Sequence, residues 1–329
     1  MFRKLACAGA FVGTVAIVAA ACGGGSTNNN VTKDFAVANK DGGNTGGDAG
    51  NNDMAMKAYT ETSAHAIDTA ALGDPLAVTG AAVTLKNLVV LAPPVGFSAK
   101  FMGTAKAGCR YEVWAQDMAC TTPPCGVALE TPAIANPMGV GAFCPYAKDT
   151  TTALQNTWRG DVVTVNGVVD LFASTDPNGT AGTVVQHGIT IDMLTTTTVK
   201  GDLPAPIVVT DTNPTMFKPY TTAGGFQKYE GTYIQLKPAA GKFTTTLTQS
   251  ASFKTMCPGK TGFYNGSFTV SPGGASFSDT YASFYLNKDA GQATNCDPAD
   301  GSMYSSISAI VSASFGGALL PTEQMDFQP

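Results

Sequence analysis

The side chains with the most reactive chemistry in this 329-residue chain are eight cysteines and two histidines. Cys22 directly follows Ala19-Ala20-Ala21, and a thiol behind small residues is the pattern expected for acylation followed by cleavage at the cysteine, although the Leu usual three residues ahead is absent. Cys120-Thr-Thr-Pro-Pro-Cys125 has the outline of a metal knuckle. With no equivalent pair and no ligating histidine nearby, it departs from the usual four-ligand zinc patterns. The even set Cys109, Cys120, Cys125, Cys144, Cys257 and Cys296 instead predicts disulfides in an exported protein. Bridges confined to the two halves defined below leave three connectivities among the first four cysteines and one for the last two.

His65 precedes the first strand-like run, and His187 lies in such a run after a Gly-rich turn. Neither accompanies a Ser/Asp or Cys motif of the kind acid–base or nucleophilic catalysis requires. Phosphate loops, zinc-protease helices and nucleophile elbows are missing from the sequence as well. Asp176-Pro-Asn178-Gly179-Thr180 and Asp297-Pro-Ala-Asp300-Gly301 place oxygens in turns, but neither builds the twelve-residue calcium loop with its terminal Glu. The expectation is a non-enzymatic chain with no catalytic residue, no metal and no cofactor.

The segments that position these residues begin with a leader. Arg3 and Lys4 precede an uncharged apolar stretch from Leu5 to Ala21, which predicts a signal peptide over residues 1–21 that removes Cys7. A membrane-spanning helix fits less well, because crossing takes about 20 apolar residues and Gly/Asn sequence follows at once. Residues 22–58 carry Gly23-Gly24-Gly25-Ser26-Thr27, Asn28-Asn29-Asn30 and the run Asp41 to Asp53, which cannot bury a core and predict a flexible tether. Together these features predict export and lipid anchorage through an acylated, palmitate-bearing Cys22 to the bacterial outer membrane, at the cell surface, since several acyl chains hold where one does not.

Only 13% of the residues are charged, and short Val/Thr/Tyr/Phe runs alternate with Gly, Pro, Asn and Asp. That composition predicts an all-β fold. Loss of Arg3 and Lys4 with the leader takes the net charge from −5 to −7, which argues against general nucleic-acid affinity. Five strands are predicted at 83–91, 110–116, 126–130, 161–172 and 183–191. Gly167 inside the fourth suits a bulge where a small barrel coils closed. Five coiling strands fit an OB-type barrel. Pro204-Ala205-Pro206 fixes extended backbone and marks a join, giving one barrel over 59–203 and a second over 204–329.

Gly160-Asp161-Val162-Val163 with Val165 to Val169, then Leu203-Pro204-Ala205-Pro206-Ile207-Val208-Val209, Tyr229-Glu230-Gly231-Thr232-Tyr233 and the closing run Ile307 to Pro321 ending near Asp326 resemble the OB-like region that accompanies bacterial extracellular endonucleases and exonucleases. The resemblance spans about residues 78–327 and implies two successive five-stranded OB-like barrels. The nucleases' catalytic domain has no counterpart in this sequence, so the resemblance implies that any nuclease activity belongs to another protein.

Between Thr212 and Val270, Lys218, Lys228, Lys237, Lys242, Lys254 and Lys260 meet a single acid, Glu230, and are interleaved with aromatic residues. If Ile234 and Leu236 point inward, Tyr233, Gln235 and Lys237 share an outer face, the arrangement with which OB barrels hold single strands or oligosaccharides. The sequence thus predicts a lipid-anchored binding module for an extracellular glycan, protein or single-stranded nucleic acid. The competing readings are an accessory DNA-binding subunit of a secreted nuclease and a structural envelope protein.

Overall fold

The structure, a computed structural model, describes residues 57–70, 79–136, 139–140, 144, 153–174, 184–211, 217, 225–248, 267–278, 301–312 and 317–329. Cys7, Cys22, Cys257 and Cys296 lie outside them, as do Asp176, Asn178, Asp297, Asp300, Lys218, Lys254 and Lys260. The chain is all-β, with two sheets in sequence.

The first sheet contains β1 (Thr60–Thr62), β2 (Ala82–Val90), β3 (Val95–Phe101), β4 (Thr104–Asp117), β5 (Gly126–Glu130), β6 (Ile134–Ala135), β7 (Val162–Ser174) and β8 (Val184–Thr198). Helix α1 (Ala64–Thr69) follows β1. Strand β2 pairs with β7, β7 with β8, β8 with β5, β5 with β4, and β4 again with β2 at Leu88–Asp117, Val89–Gln116 and Val90–Ala115. The ring is therefore closed. Four of its five pairings are antiparallel and the β5–β8 pairing is parallel, a five-stranded Greek-key barrel of the OB type. Its interior is the inward half of each alternating strand, including Val83, Leu85, Tyr111, Val113, Val127, Leu129, Val163, Val165 and Ile189.

Two irregularities let the strands coil. The β2–β7 register shifts between Leu85 and Leu88, where Asn87 takes φ 56°, a conformation Asn accepts more readily than most residues. The β7–β8 register shifts at Asn166/Gly167, and a Cβ on Gly167 would collide with the Thr190 carbonyl and the Ile189 side chain. The bulge read from Gly167 is present.

The second sheet contains β9 (Ile207–Asp211), β10 (Tyr233–Pro238), β11 (Phe243–Thr248), β12 (Ser267–Ser271), β13 (Ser276–Ser278), β14 (Met303–Tyr304), β15 (Ser306–Ser312), β16 (Ala318–Leu320) and β17 (Phe327–Gln328). A short helix α2 (Gly225–Lys228) precedes β10. The two sheets run in the same order. The path β1-β2-β7-β8-β5-β4-β3 of the first corresponds strand for strand to β9-β10-β15-β16-β13-β12-β11 of the second, including the parallel β1–β2/β9–β10 and β5–β8/β13–β16 pairs. The difference lies at the seam, where the β2–β4 closure has no β10–β12 equivalent among the described residues, leaving a half-barrel. Ile234, Leu236, Phe243, Phe268, Phe277 and Ile307 fill its core, with Phe268 stacked on Phe277 at 4.7 Å between centroids.

The sheets share a third core. Trp114 and Ala128 on the outer face of β4–β5, with Leu91, Ala92 and Val95, pack against Tyr233, Ile310 and Leu320 of the second sheet. All five residues of β5 are consequently buried. Its strand therefore reads as a continuous buried run, where a half-exposed strand would alternate.

Candidate functional site

Gly126 and Gly231 bring the backbones of the two barrels into close contact. A Cβ on either would overlap the other's backbone, and Gly231 has φ 62°, so only glycine fits both demands there. The backbone direction this imposes sends Glu230 toward the first barrel. Its Oε1 accepts the backbone N–H of His187 on β8 at 2.7 Å, and its Oε2 lies 3.3 Å from His187 Nδ1.

A third element supplies Asp68. Helix α1 is capped by Ser63, whose hydroxyl accepts from the Ala66 N–H, and the Asp117 carboxylate accepts the N–H groups of Ala64 and His65. These bonds satisfy amides that a helix start leaves open. Ala64 and Ile67 face the first barrel's core, and Asp68 then places Oδ1 3.1 Å from His187 Nδ1. The side chains of Asp68, His187 and Glu230 retain 1%, 14% and 3% of their exposure.

Three titratable groups from three elements thus meet around one ring nitrogen. Burial works against the imidazolium, but the two carboxylates of Asp68 and Glu230 beside the ring outweigh it and raise the His187 pKa to about 10. Burial raises both carboxylates, Asp68 well above its usual range. One Nδ1–H cannot serve two carboxylates: it aims at Glu230, and neither Asp68 oxygen has a hydrogen-bond partner. The donor set suits a cation.

A second buried cluster ties the barrels together nearby. Arg159 donates from Nη2 to Asp326 Oδ1 at 2.9 Å and to the Tyr233 hydroxyl at 3.0 Å, and Nη1 meets Glu323 at 2.8 Å. Tyr233 donates to Asp326 Oδ1 at 2.8 Å, and its backbone N–H reaches Gln116 on β4. These carboxylates hold Arg159 above its ordinary value despite burial, while burial raises the Tyr233 phenol.

That cluster corrects the expected ligand face. Ile234 and Leu236 do point inward, but Tyr233 turns into the contact between barrels, Gln235 is half-buried, and only Lys237 is exposed. Among the described aromatics interleaved with the lysines, Phe217, Phe226 and Phe243 lie in the core. Cys109 pairs with Cys144 and Cys120 with Cys125, one of the three connectivities left open for the first half. Cys120 and Cys125 are therefore joined to each other and do not form a metal knuckle.

An uncovered face emerges on the second barrel instead. On β4–β5 the outer face, the side OB barrels use for oligonucleotides and oligosaccharides, is covered by the second barrel. The equivalent β11–β12–β13 face carries hydroxyls in register: Thr244 opposite Ser271, and Thr246 opposite Thr269, which is itself opposite Ser276. These side chains are exposed or half-exposed, and Met303, 55% exposed, pairs with Thr244 at the edge. No charged residue interrupts these rows.

Nothing in the sequence around His187 sets it apart from an ordinary strand residue, and Asp68 stands in no motif. The hydroxyl rows carry a sequence signal in Ser267-Phe-Thr-Val-Ser271, where hydroxyls alternate with apolar residues, while Phe243-Thr-Thr-Thr-Leu247 places three threonines in succession. Comparison with protein-family models and with curated proteins finds no match to this chain.

Proposed function

We propose that the chain is an exported lipoprotein, acylated at Cys22, carried on its Gly/Asn tether at the outer-membrane surface, and that it binds an uncharged envelope glycan without catalysis. The observation that carries the ligand class is the Thr244/Ser271 and Thr246/Thr269/Ser276 rows on the β11–β12–β13 face. Neutral hydroxyls donate and accept toward sugar hydroxyls, and among the described residues the rows themselves hold no cation of the kind phosphate backbones need, exposed Lys242 standing just before β11. Met303 adds an apolar edge against which a sugar ring can rest. The first barrel, whose own ligand face is covered, acts as the mount.

The test has two parts. Mass analysis of the N-terminal peptide should find an acylated Cys22, and Cys22→Ala should release the protein from membranes. The full chain should be retained on neutral envelope polysaccharide and not on single-stranded DNA. Salt-sensitive retention on DNA alone would replace the glycan reading with the nuclease-accessory one.

A further inference from the structure

The Asp68–His187–Glu230 cluster gathers three metal-ligating side chains from three elements in a nearly closed site. Two nearly fully buried carboxylates converge on one imidazole nitrogen, and both oxygens of Asp68 lack a hydrogen-bond partner. Burying a carboxylate whose oxygens accept no hydrogen bond is costly. A divalent cation with two carboxylates and a neutral imidazole sums to zero charge.

The spacing fits the same conclusion. Two ligands on one ion with bonds of about 2.0–2.1 Å and a near-tetrahedral angle lie roughly 3.3 Å apart. His187 Nδ1 is 3.1 Å from Asp68 Oδ1 and 3.3 Å from Glu230 Oε2, which matches that separation; the three donor atoms lie within 4.8 Å of one another, so the two carboxylates have only to turn inward to share an ion. Glu230 is already oriented, because the His187 backbone N–H holds Oε1 and leaves Oε2 directed at the ring. Such outer hydrogen bonds are what fix metal-binding carboxylates.

We infer that Asp68, His187 and Glu230 bind one divalent transition-metal ion of the zinc class, joining the α1 arm, the first barrel and the second barrel. Imidazole with carboxylate oxygens suits zinc or cobalt; calcium and magnesium seek all-oxygen sets with more ligands than three side chains provide. The partial exposure of His187 leaves a route for water to complete the ion's coordination. The site lies apart from the hydroxyl rows of the second barrel, so its occupancy and glycan binding are separable.

The experiment uses the full chain after chelator treatment, titrated with Co2+ and then Zn2+. One Co2+ per chain should bind with visible ligand-field absorption, without the near-ultraviolet band of a thiolate ligand, and Zn2+ should displace it. Asp68→Asn and His187→Ala should each weaken binding on the order of 100-fold. In the unaltered chain, Zn2+ should shift the imidazole NMR signals of His187 and not those of His65, a readout that holds even if a variant does not fold. Absence of saturable binding, a thiolate band, or His187 signals unchanged by Zn2+ would overturn the assignment.

Discussion

Arg159 of the first barrel and Asp326 of the second form a buried ion pair, Nη2 to Oδ1 at 2.9 Å, that the Tyr233 hydroxyl also joins. A pair of this kind adds little over a well-packed apolar contact, yet losing one partner leaves the other buried and unmatched. Arg159→Ala should therefore destabilise the chain by about 3–5 kcal/mol in urea unfolding. The paired replacement Arg159→Met with Asp326→Leu should cost less than the two single changes combined. Additive costs would show that the two residues do not act as a unit.

Gly231 has φ 62° and faces the Gly126 backbone. Gly231→Ala adds left-handed strain of about 1–3 kcal/mol to a direct overlap, so the folded chain should lose at least that much. Gly241, with φ 71° and open space around it, supplies the comparison. Ala there should show the strain alone, and equal losses at the two positions would argue against close approach of the barrels.

Glu130 lies opposite Glu112 across β4–β5, and burial, then the neighbouring carboxylate, push its pKa well above the usual range. A carboxyl whose folded pKa is raised binds its proton more tightly in the folded state. Stability should accordingly fall as pH rises from about 4.5 through the raised value. Glu130→Gln should flatten that limb of the melting-temperature profile, and an unchanged slope would remove Glu130 as its source.

Non-reducing peptide mapping should find Cys109 linked to Cys144 and Cys120 to Cys125. The first bridge closes a separation of 35 residues and the second one of 5. Chain-entropy arguments give about 4 kcal/mol for the longer loop and about 2 kcal/mol for the shorter. Cys109→Ala/Cys144→Ala should thus lower the unfolding midpoint more than Cys120→Ala/Cys125→Ala. The reverse order would mean that packing around these bridges outweighs loop closure.

Much of the first barrel was legible because its strands alternate cleanly. The five runs read between Val83 and Ile191 fall on β2, β4, β5, β7 and β8, the members of the closed ring. Strand β3 escaped because Val95-Gly-Phe-Ser-Ala-Lys-Phe101 mixes small residues with a weak apolar rhythm. In the second barrel β11 to β13 are short and Thr/Ser-rich, with only Phe243, Phe268, Val270 and Phe277 turned to the core, and their strand character comes largely from pairing. The shared topology of the two sheets left no repeated motif in the residues.

The metal-binding cluster was illegible for a different reason. His187 and Glu230 are 43 residues apart and Asp68 lies on an arm before the first ring strand, so no spacing rule connects them. Glu230 and Gly231 stood out only within the Tyr-Glu-Gly run, as structural positions. Their structural purpose, holding one barrel against the other, is also what brings Glu230 to His187.

The most direct test of the proposed function is calorimetric titration of the full chain with neutral polysaccharide from the bacterial envelope, beside Thr246→Ala/Thr269→Ala. Both side chains lie on the outward face of paired strands, so the fold should persist. Losing two hydrogen bonds of about 1 kcal/mol each should weaken binding roughly 10- to 30-fold. Binding that is equally tight in the variant, or no binding by the unaltered chain, would contradict a glycan site on this face.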